Sequence, residues 1–101
     1  MAAMDRAVVV RRLKAREAEL RSLGLARLSL FGSTARGEAR PGSDVDLAAS
    51  FDPAARVDIF DFAAIEARLR EMLGAPVDLV GEPARKPAMQ AEIDRDRVRV
   101  F

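Results

Sequence analysis

The sequence of 101 residues contains no histidine, no cysteine, no tryptophan and no tyrosine. Without cysteine there is no disulfide framework and no thiolate zinc site. Without histidine the usual proton shuttle is absent, and so is the commonest transition-metal ligand. Any metal must then be held by oxygen, which narrows the choice to magnesium, manganese or calcium. Long apolar runs are missing, so no segment is expected to span a bilayer. The opening stretch, M-A-A-M-D-R-A-V-V-V-R-R, lacks the apolar core and cleavage pattern of a signal peptide, and a cytoplasmic protein is expected. Neither sign of charge dominates: 17 basic and 16 acidic residues leave a net charge of +1. Composition therefore makes no case for nucleic-acid or membrane binding.

Hydrophobic residues make up 50% of the chain and charged ones 33%, which is ordinary for a soluble protein. The length fits one domain, residues 1–101, with a single core. There is no internal repeat, linker or low-complexity tract. From Met4 to Leu23, Val9, Leu13 and Leu20 recur at helical spacing among arginines, and Gly24 closes the run. Glu17 and Arg21 are spaced for an exposed pair. Ala26 to Phe31 alternates, with Leu28 and Leu30 on one face, as a strand does. Gly32 breaks it, Ser33 stands where a helix N-cap would, and Gly37 ends the short turn. Arg40-Pro41-Gly42-Ser43 reads as a turn that Ser43 caps.

Asp44 to Phe51 reads as a second strand, and Asp52-Pro53 as a helix start or loop. Val57 to Leu73 has the spacing of a long helix closed by Gly74. Its apolar positions, among them Phe60, Phe62, Ile65 and Met72, cover more than one stripe needs. That width leaves either a docking face or extra packing beneath the amino-terminal helix. Pro76 precedes a third strand, Val77 to Val80, with Asp78 as the one carboxylate in an apolar run. Glu82 to Ile93 suits a short helix with Met89 and Ile93 inward, and Val98 to Phe101 an edge strand or a tail. The predicted fold class is α/β of the α+β type, a small mixed sheet flanked by helices.

The chemistry concentrates between Phe31 and Leu47. Asp44 and Asp46 lie two residues apart on a strand and so project from one face. Such a pair can grip one or two hard cations. Asp78, from a neighbouring strand, can complete the cluster or accept a proton from an attacking hydroxyl; it equally suits a strand-end cap. Carboxylates this close raise each other's pKa unless a cation intervenes. Gly32 and Ser33 lie where a strand gives way to a helix, a place that admits phosphate close to the backbone. Arg36 is placed either to contact a phosphate or to pair with a carboxylate, with Glu38 or Glu66 as its surface partner. EF-hand spacing is missing, which excludes that calcium loop, and no G-K-[S/T] follows the glycines, which excludes a P-loop.

Taken together, G-S-T-A-R-G followed after five residues by S-D-V-D-L, Gly32 to Leu47, resembles the signature of the polymerase-β-like nucleotidyltransferase superfamily. It is most similar to the minimal nucleotidyltransferases, the MNT antitoxins paired with HEPN-domain toxins, and the total length fits them. The resemblance implies a polymerase-β-like fold in which Gly32, Ser33 and Arg36 bind the nucleotide. It makes Asp44, Asp46 and Asp78 the metal ligands and catalytic carboxylates, since Asp78 matches the third carboxylate of that family. It implies two magnesium ions, with manganese as a substitute, and ATP as substrate. It also implies a partner, an all-helical HEPN ribonuclease toxin whose tyrosine receives AMP. The alternatives are an antitoxin that neutralises by binding alone, and a nucleotidyltransferase for an aminoglycoside-like small molecule.

Overall fold

The computed structural model describes residues 4–101. Residues 1–3, the start of the stretch read for a signal peptide, lie outside the described residues. Helix α1 (Arg6–Lys14) begins at Asp5, whose side chain accepts from the Ala7 N–H at 2.7 Å. Helix α2 (Glu17–Ser22) follows, so the single helix expected over Met4–Leu23 is two. The break falls at Ala15 and Arg16, where the Arg16 N–H turns to the Leu13 carbonyl, three residues back. The shift lets α1 pack on α4 while α2 packs on β1. The Glu17–Arg21 pair forms at 2.8 Å.

Strand β1 (Leu25–Phe31) runs into a one-turn helix, α3 (Gly32–Ala35), and then a loop leads to β2 (Val45–Phe51). Asp52 caps a 3-10 turn, Pro53–Ala55. Helix α4 (Ile59–Leu73) starts two residues later than the spacing predicts. Asp58 and Asp61 form a reciprocal capping box there, which fixes the first turn. Strand β3 is Val77–Gly81. Helix α5 (Pro87–Asp96) is displaced from the expected Glu82–Ile93 because Pro87 occupies its first turn. A short β4 (Val98–Arg99) ends the chain as an edge strand on β1.

The sheet order is β3-β2-β1-β4, with β2 and β3 parallel and the other pairs antiparallel. This is the α+β architecture expected. Leu28, Leu30, Val45, Leu47, Val77 and Leu79 line one face and bury against Val9, Leu13, Leu20, Ile65, Leu69 and Leu73 of the helices. The other face is covered by α5 alone, through a small cluster of Phe31, Ala48 and Ile93. Of the α4 apolar set, Ile65 is buried, Phe62 packs on Phe51 and Met72 on the core. Ile59 and Phe60 remain 77% and 82% exposed. Among the described residues no helix is long and apolar enough to cross a membrane.

Candidate active site

The site forms on the sheet face that α5 only partly covers. Register places Phe31, Asp46 and Asp78 side by side on three neighbouring strands. Paired residues on adjacent strands share a face, so Asp46 and Asp78 point the same way. Asp44 precedes β2 by one residue and joins them by the two-residue period. Both strands that bring an aspartate to this end are parallel, which is why a crossover through α4 separates residues that end up adjacent.

Gly32 makes the turn out of β1. Phe31 is still extended, and Gly32 has φ +73°, so helix α3 begins at Gly32 itself. Ser33 is therefore not the N-cap; Phe31 occupies that position, and the Ser33 hydroxyl makes no capping bond. The backbone of Gly32 lies hard against Asp46. A methyl group there would collide with Asp46 Oδ2 and stand 3.1 Å from its Cγ. Glycine is required twice over, for the left-handed turn and for this approach. In the loop beyond, Ser43 Oγ accepts from the Arg40 N–H at 3.1 Å, the turn cap expected of it.

Burial between Phe31 and Gly32 pushes the Asp46 carboxyl up from 3.8 to about 6, and the charges of Asp78, Asp44 and Glu92 add to the rise; only Arg36 opposes it. Glu92 was not singled out in the sequence. It reaches this neighbourhood from α5, one turn ahead of Asp96, and no local signal in the sequence marks it. Among the described residues, Asp44, Asp46, Asp78 and Glu92 have no hydrogen-bond or ion-pair partner. Every other aspartate and glutamate has one: an arginine for Glu17, Glu19, Glu38, Glu66, Glu71, Glu82, Asp94 and Asp96, and a backbone N–H for Asp5, Asp52, Asp58 and Asp61. Uncompensated negative charge is thus confined to one place.

Arg36 lies at the end of α3 and pairs with Asp96 at 2.6 Å and with Glu38 at 3.4 Å. Glu66, the other partner considered, instead pairs with Arg70 and accepts from the Leu79 N–H. It lies on α4, across the sheet from α5. No three carboxylates among the described residues close into a finished metal cage. The donor set nevertheless fits a hard cation: all oxygen, anionic and free of internal partners.

The nucleotidyltransferase domain model matches residues 10–100. The protein adenylyltransferase MntA of Thermococcus cleftensis is 35% identical over 89 residues, spanning 87% of this chain and 88% of that protein. A solved structure described provisionally as a minimal nucleotidyltransferase superposes with a TM-score of 0.77 at 33% identity, covering 94% of this chain and 95% of that one. A chain from the structure of a tri-AMPylated Shewanella oneidensis HEPN toxin in complex with MNT antitoxin gives a TM-score of 0.66. It covers 91% of this chain and 71% of that one; at 19% identity that likeness is one of fold.

Proposed function

The chain belongs to the nucleotidyltransferase domain family, and on that premise we propose that it is a magnesium-dependent protein adenylyltransferase acting as an antitoxin. It transfers AMP from ATP to a tyrosine hydroxyl of a HEPN-domain ribonuclease toxin and thereby silences it. One observation carries the reading: among the described residues, the acidic side chains without partners gather beside the Gly32–Ser33 turn and nowhere else. A relative named as a protein adenylyltransferase, and a structural neighbour that joins an MNT antitoxin to an AMPylated HEPN toxin, support the choice of substrate and partner.

Asp44, Asp46 and Asp78 are the residues that would hold magnesium, as one ion or two, with manganese an acceptable substitute. A cation held there would supply neutralisation of phosphate charge during in-line displacement. Gly32 makes the turn that seats Asp46 against the backbone and presents Ser33, and the Ser33 hydroxyl and Arg36 donate to the triphosphate oxygens. The acceptor oxygen attacks the α-phosphorus. The new O–P bond forms as the bridging bond to the β-phosphate breaks, and pyrophosphate leaves with its electron pair. Asp78 takes the acceptor's proton, in a chain that has no histidine to do so. Leu23, Ile59 and Phe60 are exposed apolar side chains that supply part of the toxin-docking surface, which extends to the carboxylate end so that the acceptor hydroxyl reaches the α-phosphorus.

The test is to incubate the protein with a HEPN-domain toxin, taking the product of the neighbouring gene where it is one, with ATP and magnesium, and to weigh the toxin intact. A mass gain of whole AMP units, absent without magnesium, is expected. An unchanged toxin mass together with full neutralisation would assign the activity to binding alone.

A further inference from the structure

Arg36 is held from a distance. Its Nη1 donates to Asp96 Oδ2 at 2.6 Å across sixty residues of sequence. The Asp96 side chain is only 4% exposed, against 38% for Arg36. Arg95 clasps the same carboxylate through Nε and Nη2, at 3.1 and 3.3 Å. Glu38 stands 3.4 Å from Arg36 Nε on the outer side. The guanidinium is thus tied along two edges. Among the described residues no hydrogen bond engages its Nη2.

An arginine at the end of a one-turn helix would otherwise sample many rotamers, and a fork already oriented loses less entropy per bond it makes. Asp96 lies one turn beyond Glu92 on α5, so a single helix face supplies both the fourth carboxylate and the brace for Arg36. Helix α5 does not need this contact for its own anchorage. Ile93 is fully buried, and Gln90 and Arg97 tie the helix to Glu82.

We propose that Asp96 is a positioning residue for nucleotide binding: it fixes Arg36 beside the carboxylate cluster with one donor edge open to a phosphate oxygen. The inference rests on the nucleotidyltransferase reading above. It makes α5 part of the nucleotide site rather than a simple cover for the sheet.

Calorimetric titration of the full chain with AMP-PNP and magnesium tests it, using wild type, Asp96→Ala, Asp96→Asn, Asp96→Glu, Arg36→Ala and the double variant Arg36→Ala with Asp96→Ala. Asp96→Ala is expected to weaken binding about tenfold, the scale of a lost charge-assisted hydrogen bond. Asp96→Glu is expected to restore most of the affinity. Once Arg36 is absent, Asp96→Ala is expected to change nothing further. Asp96→Asn keeps the side-chain shape and gives the same comparison if the alanine variant unfolds. Wild-type affinity in the Asp96 variants, or an equal loss in the absence of Arg36, would overturn this inference alone. A wild-type protein that binds no AMP-PNP would overturn the nucleotidyltransferase reading and this inference with it.

Discussion

Asp46 and Asp78 stand in register on adjacent parallel strands, and neither carboxylate has a partner among the described residues. Two like charges in that position repel, and burial of Asp46 sharpens the cost. A fold that pairs every acidic group outside Asp44, Asp46, Asp78 and Glu92 with an arginine or a backbone donor leaves this charge for something from outside.

The first prediction concerns protons. The folded protein holds the Asp46 carboxyl near 6, against 3.8 for the free group, so folding favours its protonated form. Its contribution to stability is complete below about 3.8 and is lost as pH rises towards 6. Hydrogen bonds from arginines hold the carboxyls of Glu19, Glu82 and Asp96 below the usual carboxylate range, so their stabilisation is lost only as pH falls through that lowered range. Carbon-detected titration should show Asp46 with a midpoint near 6 in cation-free buffer. Magnesium should lower that midpoint, because cation and proton compete for the same oxygens. A midpoint near 4, with or without magnesium, would contradict this.

The second concerns charge removal. Asp44→Asn combined with Asp46→Asn should abolish AMP transfer, by at least about a hundredfold. The same variant should melt higher than wild type in cation-free buffer, because the repulsion is gone. Loss of activity accompanied by a lower melting temperature would mean that these carboxylates serve the fold instead.

The third compares two glycines with nearly the same backbone. Gly32 and Gly37 have φ of +73° and +74°. Alanine at either position costs about 1–2 kcal/mol for the left-handed conformation. Only at position 32 does the new methyl meet anything, namely Asp46, whereas position 37 is open. Gly37→Ala should therefore keep its activity with a modest loss of stability, and Gly32→Ala should lose activity as well. Melting curves and transfer rates on both variants decide it.

The fourth concerns docking. Phe60→Ser should weaken binding to the HEPN toxin about tenfold and leave folding stability within about 0.5 kcal/mol, since the ring is 82% exposed. Unchanged affinity would place the toxin elsewhere on the surface.

Much of the site could be read directly. Gly32, Asp44 and Asp46 fall within one short motif, and strand periodicity puts both aspartates on one face. Asp78 was readable as a carboxylate inside an apolar run, but its register opposite Asp46 depends on a parallel pairing that no local pattern states. Of the two surface partners the sequence offers Arg36, Glu38 or Glu66, the structure has Glu38; its inner partner, Asp96, lies sixty residues away on α5, and no local pattern links the two. Glu92 escaped for the same reason: only the packing of α5 on the second face brings it close to Asp46. The break between α1 and α2 has no glycine or proline to announce it. It follows from two packing partners, α4 and β1, that a straight helix would not meet together.

The claim on which the rest depends is that the unpartnered carboxylates hold the divalent cation. Manganese binding, followed by paramagnetic broadening of amide signals in the presence of AMP-PNP, tests it most directly. Signals of Asp44, Asp46, Asp78 and the Gly32–Ser33 turn should broaden first, while those near the paired Asp52 and Asp58, beyond the far end of β2, stay sharp. Broadening spread evenly over the acidic surface, or absent from Asp46 and Asp78, would contradict it.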